Sequence, residues 1–215
     1  MLEKGELILT RHLATPNNRS GSIMGNVLNI DIIDDKQAIN DLRKKILLVA
    51  KGWDINSNNT LVCSSPLKRC LSTSGIISDA LGLSGNLLIM KELEETDMGD
   101  FSGKNTIELR KEFGPLVDQW MFNPEGFKFP NGESYSSLKD RVGKAFEKIQ
   151  NEIQQNGYRY VFACTHVDLI KMAMAKVMDF SFNNRRSFVI GNGSISLLSL
   201  NDDNKWTVKG INMYP

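Results

Sequence analysis

Short apolar runs typical of buried strands alternate with amphipathic helical patterns along most of this chain. Such an alternation predicts a largely parallel sheet with helices packed on its faces. The predicted strands span 6–11, 60–64, 87–91, 158–166, 194–200 and 206–211, and the predicted helices span 35–52, 65–82, 134–157 and 167–179. The turn cluster at 201–204 predicts that the last two strands form an antiparallel hairpin. We therefore expect an α/β fold, a three-layer α/β/α sandwich around a mostly parallel, mixed central sheet.

Both histidines of the chain stand where strand-type runs end. His12 closes the run LILTRH, and His166 closes the run YVFACTH. A third run ends at Ser65, shortly before Arg69. The carboxyl ends of parallel strands meet at the sheet edge where open α/β proteins bind their ligands. We therefore expect the two imidazoles and the guanidinium groups of Arg11 and Arg69 to face one crevice.

These residue types suit chemistry on a phosphoryl group. Two planar, permanently charged guanidinium forks match a phosphoryl group better than the other candidate anion, a carboxylate. A neutral imidazole nitrogen can attack phosphorus, and the phosphohistidine that results splits one difficult displacement into two. The second histidine would then stabilise the transferring group. The acidic cluster ELEETDMGD, residues 92–100, offers several carboxylates that could protonate the leaving oxygen, and the pattern alone does not choose among them.

Composition and charge exclude several other classes of protein. Lysine and arginine number 26 against 25 aspartate and glutamate, so no large basic field indicates a nucleic acid or an anionic membrane as partner. No stretch approaches the ~20 apolar residues of a spanning helix, and the amino terminus shows no signal-type core. The three cysteines are odd in number, which favours reduced packing residues. We expect one domain over 1–215 and a cytoplasmic location.

The segment from about 100 to 133 breaks the strand and helix alternation. Asn105 followed by Glu108 predicts a capping box for a short helix. Residues 114–132 then combine several aromatic side chains with three prolines, and we interpret this stretch as a loop or lid. Residues about 100–133 are therefore expected to form a lid-like insertion.

Five short motifs that contain the candidate residues follow one another along the chain. They comprise Arg11, His12, Leu13, Ala14, Thr15 and Asn18; Ser64, Ser65, Pro66 and Arg69; Leu93, Glu95, Gly99 and Gly103; Gly132, Glu133 and Ser134; and Thr165, His166, Val167 and Asp168. In this order they resemble the motifs of the histidine phosphatase superfamily, which includes cofactor-dependent phosphoglycerate mutases and many small-molecule phosphatases. The resemblance covers most of the chain and implies a phosphoglycerate mutase-like fold.

The resemblance also implies a role for each site residue. It implies that His12 is phosphorylated, and that Glu95 donates and accepts the proton. It further implies that the phosphoryl group is held by Arg11, Arg69 and His166, with help from Asn18. No cofactor and no metal are expected, because the cysteine and histidine spacing matches no usual zinc pattern.

The chain departs from the family pattern at two positions. Leu13 and Val167 stand where the family usually has glycine directly after each active-site histidine. Either these positions adopt negative φ here, or the site is altered. One hypothesis is that both apolar side chains narrow the mouth of the site and alter substrate choice, and the alternative is local packing.

Three classes of function remain open at this point. The leading one is a phosphomonoesterase, a histidine-type acid-base phosphatase that acts on a small-molecule phosphate ester. The second is a phosphoglycerate mutase-type phosphotransferase, which the short segment between Gly103 and Gly132 disfavours. The third is a non-catalytic binding protein on the same fold. The residues identify no particular ester, and they leave a homodimer as an open alternative.

Overall fold

A six-stranded mixed sheet forms the centre of the computed structural model, which describes residues 3–83, 85 and 87–213. Its strands are β1 (Glu3–Arg11), β2 (Thr60–Ser64), β3 (Leu87–Ile89), β4 (Tyr160–Thr165), β5 (Ile195–Asn201) and β6 (Trp206–Met213). They lie in the order β3-β2-β4-β1-β5-β6. The first four strands of this order are parallel, and β5 and β6 run antiparallel as a hairpin. The predicted sheet type is confirmed.

Helices cover both faces of this sheet, as the three-layer prediction requires. They are α1 (Pro16–Ser20), α2 (Lys36–Val49), α3 (Lys68–Leu81), α4 (Thr106–Phe113), α5 (Pro115–Phe122), α6 (Tyr135–Gln155) and α7 (Val167–Met178). Successive side chains of a strand point to opposite faces. Thus Leu7 and Leu9 pack with α6 and α7, whereas Ile8 packs with α2 and α3 in a second core.

Helix α6 shows why the helical patterns were reliable. Its apolar residues recur every three or four positions, and Leu138, Val142 and Ile149 are fully buried. The Ser134 hydroxyl accepts a hydrogen bond from the backbone N–H of Ser137 and so caps the first turn. The stripe and the cap agree, and the helix begins one residue after its predicted start at 134.

Several predicted element boundaries shift by two or three residues, such as the start of β1 at Glu3 and the end of α2 at Val49. Two further corrections concern α3 and β3. Helix α3 begins at Lys68, although Ser65 and Pro66 had the features of an N-cap and a first helical residue. The Ser65 hydroxyl instead lies 2.9 Å from a ring nitrogen of His166. Residue Leu67 is still extended and serves as the N-cap without a side-chain hydrogen bond. Strand β3 ends at Ile89 rather than at 91, because a short 3-10 turn begins directly afterwards.

The expectation of a loop over 114–132 is wrong for residues 115–122, which form α5. Pro115 occupies the first turn of α5, a position that a residue without a backbone N–H suits. Beyond this helix, Phe127 and Phe129 are 1% exposed and belong to the core under α6 and α7. Their rings lie edge to face, with centroids 5.0 Å apart. The capping box at Asn105 is confirmed, and a lid role for residues about 100–133 stays a prediction.

Two further observations bear on the class of protein. Within the described residues, no helix has both the length and the apolar character needed to cross a membrane. Cys63, Cys70 and Cys164 are all buried and free of disulfide bonds, as expected for packing residues.

Candidate active site

The two histidines meet at the carboxyl edge of the sheet. Strands β1 and β4 are neighbours, and Arg11 is in register with Thr165. The residues that follow are therefore adjacent, and the backbone N–H of His12 donates to the Thr165 carbonyl at 3.0 Å. The two imidazole rings lie with centroids 5.2 Å apart at an angle of 60°. The predicted convergence of His12 and His166 is confirmed.

The His12 ring is held in one tautomer by its own neighbour in sequence. Its Nδ1 lies 2.7 Å from the Leu13 carbonyl oxygen, which can only accept, so Nδ1 carries the proton. In the neutral ring Nε2 then has the free lone pair. Burial, followed by the charge of Arg69, lowers the pKa of His12 to about 3. The imidazole is therefore neutral at neutral pH, with an unprotonated Nε2.

Backbone contacts from a distant loop fix the position of His12. The amide side chain of Asn192 donates to the His12 carbonyl at 3.0 Å, and the N–H of Gly193 donates to the Arg11 carbonyl at 3.0 Å. Gly193 has φ +65°, and a Cβ there would lie 2.8 Å from the Leu13 side chain. The sequence analysis did not identify Asn192, because no motif marks it.

Neither departure from the family pattern strains the backbone. Positive φ among the described non-glycine residues occurs only at Asn131, Asp179, Asn204 and Asn212. Leu13 and Val167 therefore use ordinary backbone conformations. Leu13 is 4% exposed within the second core, so packing explains its side chain. Val167 is half-buried against the first core, and for this side chain a role at the mouth of the site stays a prediction.

Arg69 lies fully buried in the first turn of α3 and contacts the second histidine. Its Nε donates to Nδ1 of His166 at 3.3 Å. Its two terminal nitrogens donate to the carbonyls of Leu28 and Gly25, at 2.9 and 2.8 Å. The guanidinium fork is therefore held in one orientation beside the histidine pair, although it is a buried charge.

His166 is held between two side chains. Because the Arg69 Nε can only donate, Nδ1 of His166 accepts, and Nε2 carries the proton toward the Ser65 hydroxyl. Burial, the neighbouring His12 and Arg69 hold the pKa of His166 well below its usual range. The ring is therefore neutral in this state. Ser65 belongs to a predicted motif, but its contact with His166 was not predicted.

The side chains of Arg11 and Asn18 both contact the loop at residues 190–192. A terminal nitrogen of Arg11 donates to the Ile190 carbonyl at 2.6 Å. The Arg11 charge also contributes to the lowered pKa of His12. The Asn18 side chain accepts from the backbone N–H of Thr15 in a capping box at α1, and from Asn192 at 3.3 Å. Asn192 therefore links Asn18 to the backbone of His12.

Glu95 differs from its acidic neighbours in its burial. It is 6% exposed, whereas the other acidic residues of 92–100 are half-buried. One carboxylate oxygen accepts from the backbone N–H of Thr96 at 3.0 Å. Burial, followed by the charge of Asp168, raises the pKa of Glu95 to about 7, against the opposing effect of Arg69. The group can therefore both donate and accept a proton near neutral pH.

A chain of hydrogen bonds orients Asp168, whose negative charge helps to raise the pKa of Glu95. The hydroxyl of Tyr135 donates to Asp168 at 3.1 Å, and the indole N–H of Trp120 donates to Tyr135 at 3.0 Å. Asp168 belongs to the last predicted motif, but its link to Tyr135 and Trp120 was missed. Their spacing in the sequence carries no signal of it.

Comparisons with known proteins identify the family of this chain. A family model described as histidine phosphatase superfamily (branch 1) matches residues 7–213. The chain is 25% identical over 150 residues to "Putative phosphoserine phosphatase 2" of Hydrogenobacter thermophilus, over 70% of this chain and 69% of that protein.

Two solved structures show the same fold. The α-ribazole phosphatase from Shigella flexneri aligns with a TM-score of 0.77 at 20% identity, over 97% of this chain and 96% of that chain. A phosphoserine phosphatase mutant from Entamoeba histolytica, in complex with phosphoserine, aligns with a TM-score of 0.78 at 20% identity, over 97% and 96%. With the family model matching almost its whole length, the chain belongs to the histidine phosphatase superfamily, branch 1, and is a phosphatase.

Proposed function

We propose that this protein is a phosphomonoesterase that hydrolyses a small phosphorylated metabolite through a phosphohistidine on His12. The observation that carries the proposal is the state of the His12 ring. Its Nδ1 is bound to the Leu13 carbonyl and its pKa is about 3, so Nε2 offers a lone pair at neutral pH.

The reaction follows as two displacements at phosphorus. In the first, His12 Nε2 attacks the phosphorus atom, the bond to the ester oxygen breaks, and Glu95 gives its proton to the leaving alkoxide. In the second, Glu95 takes a proton from water while the water oxygen attacks the phosphohistidine. Inorganic phosphate leaves, and the free imidazole and the protonated Glu95 are restored.

The remaining site residues supply charge and donors to the transferring group. The terminal nitrogens of Arg69 each carry a second N–H besides the one bound to a loop carbonyl. We assign these N–H groups, together with Arg11, to the phosphoryl oxygens, where positive charge stabilises the transition state. His166 and the Asn18 amide complete the binding set. The proposal requires neither a metal nor another cofactor.

We place the substrate among small phosphate monoesters. Two of the similar proteins are named for phosphoserine and a third is named for α-ribazole, so they do not agree on one ester. The nearly balanced charge of the chain supports a small-molecule partner rather than a nucleic acid or a membrane surface. The three buried free cysteines support a reducing, cytoplasmic location.

A phosphate-release screen tests the proposal. The panel comprises sugar phosphates, nucleotides, phosphoserine, phosphoglycerates and ribazole phosphate, and His12→Ala is the matched inactive control. We expect release of inorganic phosphate from at least one ester, and none with the control. Phosphoryl transfer between hydroxyl groups of a phosphoglycerate, without net phosphate release, would instead establish the mutase alternative. Tight ester binding with no turnover would establish a binding protein.

A further inference from the structure

Two of the family-type motifs lie against each other, the one that contains Glu95 and the Gly-Glu-Ser motif, and their glycines have no part in the proposed reaction. Gly99 comes from the motif of Glu95, and Gly132 from the Gly-Glu-Ser motif. A Cβ on Gly132 would lie 2.7 Å from the Gly99 nitrogen, and a Cβ on Gly99 would collide with the Pro130 carbonyl. The backbone N–H of Glu133 also donates to the Asp97 carbonyl at 2.8 Å. Glycine is thus required on both sides of one close backbone contact.

The ion pair of Glu133 with Arg141 connects this backbone contact to the segment around Glu95. Glu133 and Arg141 are joined by two hydrogen bonds, from Nη2 at 2.7 Å and from Nε at 3.0 Å. Both side chains are largely buried, at 14% and 20% exposed. This bidentate geometry fixes the plane of the guanidinium group.

The same guanidinium group binds the backbone of Glu95 and of residues just before it. It donates to the carbonyl oxygens of Glu92 at 3.1 Å, Glu94 at 2.6 Å and Glu95 at 3.4 Å. We call residues 92–99 the acid segment. One side chain on α6 thus holds three carbonyl groups of the acid segment, and the pair to Glu133 fixes that side chain.

We propose that Arg141, oriented by Glu133, is a positioning residue that sets the place of the Glu95 carboxyl relative to His12. The carboxylate of Glu95 accepts its hydrogen bond from Thr96, which belongs to the acid segment itself. The position of the carboxyl group therefore follows the position of the segment. The inference rests on the proposed function, in which Glu95 is the general acid. A shift of about 1 Å in a reacting group can cost about 10²-fold in rate.

Leaving-group selectivity separates positioning from general stability. An alkyl phosphate needs a proton on its leaving oxygen, whereas p-nitrophenolate departs without one. The ratio kcat/KM reports the steps up to phosphorylation of His12. We expect Arg141→Met to lower kcat/KM for an alkyl phosphate by about 10–10²-fold, and kcat/KM for p-nitrophenyl phosphate by less than about threefold.

Three further variants make the test specific. Arg141→Lys keeps the charge but lacks the fork, so it should show the same selective loss while it preserves the fold. Glu133→Gln should show the same selective loss to a smaller extent. Lys148→Met is the matched control, because Lys148 lies on the same helix and binds Glu92 of the acid segment only through an exposed pair at 2.6 Å. It should leave both substrates unchanged.

A double-mutant cycle decides the outcome. In a Glu95→Gln background, Arg141→Met should cause no further selective loss, because the group that it positions is already gone. Equal losses on both substrates, or a selective loss that persists undiminished in that background, would overturn the inference. If Glu95→Gln alone showed no selective loss, the acid assignment in the proposed function would fail. That result is distinguishable, since it does not involve Arg141.

Discussion

At the scale of residues, burial decides which groups can react. The ionised forms of His12 and Glu95 carry opposite charges, and burial disfavours the charged form of each. The pKa of His12 falls to about 3 and that of Glu95 rises to about 7. At neutral pH the site therefore holds a neutral imidazole and a partly protonated carboxyl group. These are the two forms that the first step of the proposed reaction needs.

At the same scale, we predict that the loss of the Glu95 carboxyl group affects substrates with poor leaving groups selectively. Glu95→Gln should lower kcat/KM for an alkyl phosphate by about 10²–10⁴-fold, and that for p-nitrophenyl phosphate much less. Steady-state kinetics on both substrates measure this. Glu94→Gln is the control and should leave both nearly unchanged, because Glu94 is half-buried and has only its backbone in the Arg141 contact. A selective loss in Glu94→Gln instead would mean that the motif is shifted by one residue.

Asp168 should tune the pH dependence of the same group. Its negative charge raises the pKa of Glu95, so Asp168→Asn should lower that pKa. The protonated acid is present below its pKa, so activity on an alkyl phosphate is lost as pH rises through about 7. In Asp168→Asn this alkaline limb should move to lower pH, as measured by the ratio of alkyl to p-nitrophenyl turnover between pH 5 and 9. A limb that stays in place or moves upward would contradict the electrostatic account.

At the scale of elements, periodic patterns were reliable where local and tertiary preferences agree. Helix α6 has the predicted apolar stripe, and the structure adds a side-chain cap at Ser134. The start of α3 was predicted wrongly because the Ser65 hydroxyl contacts His166, and such a contact leaves no local trace in sequence. Helix α5 was missed because residues 114–132 combine prolines with aromatic side chains, and only the structure shows that Val117, Phe127 and Phe129 in this stretch are buried.

This burial makes a prediction about stability. Phe127→Ala should lower the free energy of unfolding by about 3–5 kcal/mol, because a large side chain that is 1% exposed leaves a cavity in the core. Denaturant unfolding measures the change. The matched control is Phe122→Ala, since Phe122 is 69% exposed, and it should change stability by less than about 0.5 kcal/mol. Equal, small effects for both would favour a loosely attached lid.

At the scale of the whole molecule, topology accounts for how much of the site was predictable. Parallel strands bring their carboxyl ends to one edge, so two strand-end histidines and a following arginine had to converge. The partners that orient them were not predictable in the same way. Asn192 reaches His12 across 180 positions, and Arg141 reaches Glu94 across 47. Such pairings depend on the packing of distant elements, which a single sequence does not encode as a local pattern.

The central claim is that His12 carries the phosphoryl group, and trapping the intermediate tests it most directly. The protein is mixed briefly with an ester labelled in its phosphoryl group, quenched without acid, and assayed for protein-bound label. We predict a label that is labile in acid and stable in base, as a phosphohistidine is, and that is absent from the His12→Ala variant. Label that persists in His12→Ala, or that survives acid, would contradict the account.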